Sequence, residues 1–160
     1  MKKEELKIIY YSYSDPGELT GNRPALIEQA REASRKAWAP YSGFRVGAAL
    51  ELENGEIISG NNQENVAYPS GLCAERVALF YASSQYPGVA VKKLAIAAYS
   101  GEHFTEKPVY PCGDCRQVLM EHEHRTGKKM EVIMFGEKEI KVVKSAADLL
   151  PLPFDYDFQQ

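Results

Sequence analysis

Three cysteines set the tightest limit on how this chain folds. They stand in two short blocks, C-A-E-R at 73–76 and P-C-G-D-C at 111–115. Each block opens a segment with helical character. CAERVALFYASS (73–84) carries Val77, Ala78 and Ala82 on its buried side, and DCRQVLMEHEHR (114–125) follows the second block. A helix N-terminus presents unpaired N–H groups and a partial positive charge, and both stabilise thiolates. Thiolate is the form that binds zinc. The C-x-x-C spacing puts Cys112 and Cys115 within reach of one ion, and Cys73 at the other helix start supplies a third sulfur. A tetrahedral zinc would then keep one position for water, as catalytic sites do and structural sites do not.

Taken alone, a C-x-x-C pair also suits a redox dithiol or half of a zinc ribbon. A structural site needs a fourth protein ligand, and His103, His122 and His124 are the only histidines to supply it. His103 sits in a polar loop, and EHEHR (121–125) reads as a solvated helix face. A redox dithiol leaves Cys73 and Glu75 without a role. Glu75 lies two residues after Cys73, so its carboxylate can lean back toward the metal's open position; the plainer use of a glutamate there is to oppose the helix dipole. Three thiolates on Zn²⁺ leave a net negative charge, which dulls the metal as a Lewis acid. A guanidinium from Arg76 on the sulfurs would draw that charge off.

Around these blocks the pattern alternates between helix and strand. Residues 5–13, with Ile8, Ile9, Tyr10, Tyr11 and Tyr13, read as an added N-terminal strand, and 15–24 as a loop by their glycine and proline content. Helical spacing begins at Ala25 and PYSGF (40–44) breaks it. Residues 46–52 and 56–60 form a hairpin about ENG. Strands follow at 91–100, 131–135 and 139–143. A short helix at 145–150 takes Ser145 as its N-cap, and LPLPFDYDFQQ ends the sequence as an irregular tail. The order predicts an α/β fold, a three-layer sandwich with a mixed five-stranded sheet. At 160 residues the chain suits a single domain, 1–160.

Composition removes some functions. A formal charge of −3 argues against gripping nucleic-acid backbones. The longest apolar runs, at 77–82 and 94–99, are six residues each, too short to cross a membrane. The opening MKKEELKIIYYSYSD lacks the apolar core of a leader, so the expected location is cytoplasmic.

Several blocks, in order, resemble the cytidine deaminase family of the small-subunit, three-cysteine type: YSGFRVGAAL (41–50), GNNQENVAYPSGLCAERVAL (60–79), PCGDCRQVL (111–119) and LLPLPF (149–154). The likeness covers roughly residues 37–154; residues 1–22 have no counterpart in it. It implies one Zn²⁺ per subunit on Cys73, Cys112 and Cys115, with Glu75 moving protons between water, N3 of cytosine and the leaving amino group. It implies hydrolysis of cytidine and 2′-deoxycytidine to the uridines with loss of ammonia, as in pyrimidine salvage. The Ala74 N–H would meet the pyrimidine O2. Asn62 and Glu64 would hold the ribose hydroxyls, and their i, i+2 spacing puts them on one face of an extended segment. Phe44 would pack on base or sugar, and Tyr68 would shape the pocket.

The resembling family is homotetrameric, and there Phe154 of a neighbouring subunit would stack on the base. One subunit has few elements left to roof a nucleoside pocket, and the stiff aromatic tail has no core role of its own. Two positions depart from the family pattern: Gln63 stands where an apolar residue is usual, and Tyr110 where a small hydroxyl residue is. Gln63 should point away from Asn62 and Glu64, toward a subunit contact. The rivals are a deaminase of another cytosine nucleoside, which a substrate panel separates, and a structural zinc module, which needs a fourth ligand.

Overall fold

A computed structural model describes residues 1–155. One mixed sheet runs through it, built from β1 (Tyr10–Tyr13), β2 (Phe44–Leu52), β3 (Ile57–Asn61), β4 (Val91–Ser100), β5 (His103–Phe104), β6 (Glu131–Phe135) and β7 (Ile140–Val143). The strand order is β1-β7-β6-β4-β2-β3, with β5 pairing β4 off this path. Only β4 and β6 run parallel. Three helices complete the fold: α1 (Arg23–Arg35), α2 (Ala74–Gln85) and α3 (Gly113–Thr126).

The layering follows from strand alternation, since successive side chains leave opposite faces. Ala48, Leu50, Leu94, Ile96, Val132 and Met134 pack with Ala78, Leu79 and Leu119 of α2 and α3. Their neighbours Ala49, Ala95, Ala97 and Ile133 pack with Leu26, Ile27 and Ala30 of α1. The sheet is therefore buried on both faces, α2 and α3 on one side and α1 on the other. Two glycines let helices approach: a Cβ on Gly47 would lie 2.0 Å from the Ala30 carbonyl oxygen, and one on Gly60 would lie 2.6 Å from the Ala78 nitrogen.

Against the sequence expectation, the sheet gains strands. The N-terminal strand is present but spans four residues, not the nine from 5 to 13. Its only partner is β7, itself four residues long, and the register Tyr10↔Val143 to Tyr13↔Ile140 uses all of it. β5 is a two-residue addition inside the expected loop. Helix α1 begins at Arg23, two residues early, because proline's fixed φ suits a first helical turn.

The EHEHR segment is not a solvated face throughout. His122 and Glu123 are buried. His122 Nε2 accepts from the Val91 N–H at 3.2 Å. Glu123 accepts from the N–H groups of Met130 at 2.5 Å, Ala146 at 2.7 Å and Ala147 at 3.2 Å. It also accepts from the Ser145 hydroxyl at 2.7 Å. The segment after β7 is a 3-10 turn, Ala146–Leu149. Ser145 occupies its N-cap position, but Glu123 satisfies the orphan donors there.

On the α1 side, Glu131 is buried and takes a forked bond from Arg23, Nε at 2.6 Å and Nη2 at 3.0 Å, and a third from Lys144 Nζ at 2.5 Å. Burial pushes its carboxyl up, but these hydrogen bonds outweigh that and hold it below the ordinary 4.5. A carboxylate whose folded pKa is lowered stabilises above its unfolded pKa and loses that contribution as pH falls through the folded value. Glu131→Gln should cost about 1.5–3 kcal/mol in urea unfolding at pH 7, the scale of hydrogen bonds to a charged group. The gap from wild type should narrow as pH drops below about 4; a gap independent of pH would assign the effect to packing.

Candidate metal centre

Cys73 is the residue that caps α2, Cys112 caps α3, and Cys115 lies in the first turn of α3. Gly60 of β3 presses against α2, with the Ala74 carbonyl and the Ala78 nitrogen both under 3.0 Å from where its Cβ would be, and this seats the start of α2 at the sheet. The segment before it is tied down by a two-way backbone bridge between Gln63 and Leu72, at 2.9 and 3.0 Å. Arg116 does the same for α3: its Nε donates to the Pro111 carbonyl at 2.8 Å, just before Cys112, and its Nη1 to the Leu149 carbonyl at 3.1 Å.

The result is that the three sulfurs lie within 4.8 Å of one another. Cys73 and Cys112 Sγ are 3.7 Å apart, and two sulfurs on a tetrahedral zinc with Zn–S near 2.3 Å are about 3.8 Å apart. No histidine joins this group, which is the one such cluster among the described residues. His122 is bonded to Val91, His103 is exposed on β5, and His124 pairs with Asp155 at 3.2 Å. Three soft sulfurs without a fourth protein ligand fit a zinc ion that keeps a position for water.

Electrostatics divide the sulfurs. The Cys73 thiol is held at about 5, first by its hydrogen bond with Cys115 and, against burial, by Arg76. Cys115, buried and on the other side of that bond, is pushed up. Arg76 Nη2 lies 3.8 Å from Cys73 Sγ, the contact expected of a charge-withdrawing guanidinium. Glu75 sits in the first turn of α2, 5% exposed, and burial raises its carboxyl to about 7.

Beside the sulfurs opens a cleft of about 560 Å³. Asn62, Gln63, Glu64, Tyr68, Cys73 and Arg76 line it, and the Gln63 side-chain amide donates to Asn61 Oδ1. Asn62 fixes the strand beside it: Oδ1 accepts from the Val46 N–H at 2.7 Å and Nδ2 donates to the Phe44 carbonyl at 2.9 Å. Glu64 accepts from the N–H groups of Tyr41 and Ser42 and from the Ser42 hydroxyl. The Ser42 hydroxyl and the Tyr41 amide hold its carboxyl below the ordinary range. Asn62 keeps one amide hydrogen and one lone pair beyond these bonds, and Glu64 keeps one of about four acceptor sites.

Phe44 opens β2, and Ala74 is fully buried as the first residue of α2; neither is part of the cleft lining. Phe154 is 79% exposed, and its carbonyl accepts from Gln117 Nε2 at 2.7 Å. Tyr110 is exposed. Sequence reasoning missed Tyr41 and Ser42, which line the cleft, and Arg116. Tyr41 and Ser42 lie in the YSGF block, a position that marks them in retrospect; Arg116 carries no signal beyond its place after Cys115.

A sequence profile of the cytidine and deoxycytidylate deaminase zinc-binding region matches residues 21–129, so the protein is of the zinc-binding deaminase class. The match takes in α1, upstream of the blocks that carry the sequence resemblance, and leaves out β1. Two similar proteins are the cytidine deaminases of Halalkalibacterium halodurans and Sporosarcina psychrophila. The first is 46% identical over 100 residues, 62% of this chain and 71% of that protein. The second is 50% identical over 97 residues, 60% of this chain and 66% of that protein. Among solved structures, cytidine deaminase from Burkholderia pseudomallei superposes with a TM-score of 0.72 at 41% identity, covering 82% of this chain and 98% of that one. The Mycobacterium tuberculosis enzyme gives 0.67 at 32% identity over 86% of this chain and all of that one. The chain belongs to the cytidine deaminase family and is an enzyme of it.

The ligand count yields a test by metal analysis. Cys73→Ala, Cys112→Ala and Cys115→Ala should each lose zinc, whereas His103→Ala and His124→Ala should keep it. His122→Ala should also keep zinc but lose about 1–3 kcal/mol of stability, because the buried Val91 N–H is left unpaired. Full zinc in a cysteine variant, or its loss in a histidine variant, would overturn the ligand set.

Proposed function

We propose that this chain catalyses zinc-dependent hydrolysis of cytidine and 2′-deoxycytidine to uridine and 2′-deoxyuridine, releasing ammonia, in cytoplasmic pyrimidine salvage. The observation that carries the reading is Glu75, a buried carboxylate in the same helical turn that begins at Cys73. Cys73, Cys112 and Cys115 would hold the zinc, which supplies a water acidic enough to ionise near neutral pH. Glu75 takes the proton released as the water oxygen adds to C4 and delivers it to N3. It then carries the second proton to the exocyclic nitrogen, the C4–N bond breaks, and ammonia leaves with the C4 carbonyl formed. Placing one carboxylate in a water-poor turn suits it to both transfers.

The remaining roles concern position. The Ala74 N–H, an orphan donor of the first turn, would meet the pyrimidine O2. Asn62 and Glu64 would give their spare hydrogen-bonding capacity to the ribose hydroxyls, and their existing bonds to the backbone preorganise them. Phe44 would pack against base or sugar, and Tyr68 would close one wall, supported by its edge-on contact with Tyr41 at 5.8 Å.

The active form on this reading is a homotetramer in which Phe154 stacks on the base in a neighbour's site. Support comes from exposed aromatics on one chain: Trp38, Tyr68, Phe80, Tyr81 and Phe154 are all open to solvent. A partner subunit would cover apolar surface of that kind where it is contiguous.

An ultraviolet assay on cytidine and 2′-deoxycytidine, with zinc measured in the same sample, tests the activity. Glu75→Gln should keep zinc and lose about 10²–10⁴-fold in rate; retention of more than a tenth of the rate would remove Glu75 from the proton transfers. Phe154→Ala should lower kcat/KM by roughly 5–150-fold with zinc retained, the equivalent of about 1–3 kcal/mol of base stacking. Light scattering should report four chains; a fully active monomer would exclude a shared site.

A further inference from the structure

Few groups hold Arg76 in place. Its Nη2 lies 3.8 Å from Cys73 Sγ and its Nη1 lies 3.7 Å from Asp114 Oδ2. Its Nε is buried and has no hydrogen-bond partner. Asp114 is the residue between glycine and cysteine in C-G-D-C, in the first turn of α3, and its side chain is 77% exposed. It takes no part in the cleft lining or the sulfur cluster.

The guanidinium is a rigid planar fork, so what binds one nitrogen fixes the direction of the next. Its positive charge is delocalised over the fork and is shared between a sulfur on one side and a carboxylate on the other. We propose that Asp114 is a positioning residue that acts through Arg76, setting how much of the guanidinium charge reaches the three-thiolate centre. This rests on the zinc reading above.

The direction of the effect follows from charge. With Asp114 present, part of the Arg76 charge is spent on the carboxylate, the sulfurs keep more electron density, and a divalent cation is held more firmly. Without it, Arg76 turns fully to the sulfurs and the cation is held less firmly. Asp114 also opposes the α3 dipole and adds its own negative charge near the centre. Those two effects do not pass through Arg76, so the arginine background separates them.

The experiment follows zinc release from purified holoenzyme to an excess of a colorimetric chelator. It compares wild type, Asp114→Asn, Arg76→Gln and the double variant. Asp114→Asn should release zinc about two- to fivefold faster, the range an exposed ion pair carries, while Asp114→Glu stays near wild type. In the Arg76→Gln background, Asp114→Asn should accelerate release less than it does in wild type, leaving only the direct charge and dipole effects. Arg76→Lys provides a second background, since a single ammonium cannot bridge both partners, and the Asp114→Asn effect should shrink there too. Thermal melting checks that the exposed substitution leaves the fold alone. An unchanged or slower rate in the single variant overturns the proposal, and so does an equal acceleration with and without Arg76. Wild-type protein that binds no stoichiometric zinc would instead sink the metal reading itself, a result seen before any variant is made.

Discussion

Everything chemical in this molecule depends on bringing two helix starts to one point with three sulfurs between them. Thiolates within 4.8 Å of one another repel, and the fold meets that repulsion with what helices provide for nothing extra. Each sulfur lies at the N-terminal end of α2 or α3, where unpaired N–H groups carry partial positive charge. Arg76 adds a full charge at Cys73. The geometry is set from behind, by Gly60, which allows α2 to sit on β3 at a distance no side chain permits. A methyl there would move the first turn of α2, and with it Cys73 and Glu75 together.

The other half of the centre is anchored through α3. Its first turn supplies Cys115, its next residue Arg116 ties back to Pro111 and forward to Leu149, and Gln117 holds the Phe154 carbonyl. Two turns further on, Glu123 fastens the 3-10 turn that leads to Leu149. The C-terminal segment is thus bonded at three points to the helix that carries two ligands.

The sequence made the layering and the sulfur cluster legible for different reasons. Strand alternation in 46–52, 91–100 and 131–135 and the helical spacing in 73–84 reflect burial, which local composition records. Cys73, Cys112 and Cys115 were legible because sulfur at a helix start has few other uses. Glu123 and His122 were not, because a buried carboxylate and imidazole look like any polar residues on a helix until their partners, Ala146 of a 3-10 turn and Val91 of β4, are brought across from distant parts of the chain. Tyr41 and Ser42 were missed for the same reason: their contacts with Glu64 span more than twenty residues of sequence. The short length of β1 was hidden too, since an edge strand's extent is decided by the strand it meets and not by its own residues.

That edge strand illustrates how an added segment is made to belong. β7 is almost fully buried at Ile140, Val142 and Val143, and without β1 its outer backbone groups would lie open at the sheet edge. Pairing along all four residues closes them. Lys141 Nζ lies over the Tyr10 ring at 4.9 Å and Lys144 Nζ over Tyr11 at 5.6 Å, contacts worth about 0.5–1 kcal/mol each at exposed sites. Lys144 is also bonded to Glu131, and Glu131 to Arg23 at the start of α1. The added strand is therefore linked through one lysine and one buried carboxylate to the helix on the opposite side of the sheet from α2 and α3. Its attachment is to the scaffold, and the residues it touches are separate from those that line the cleft.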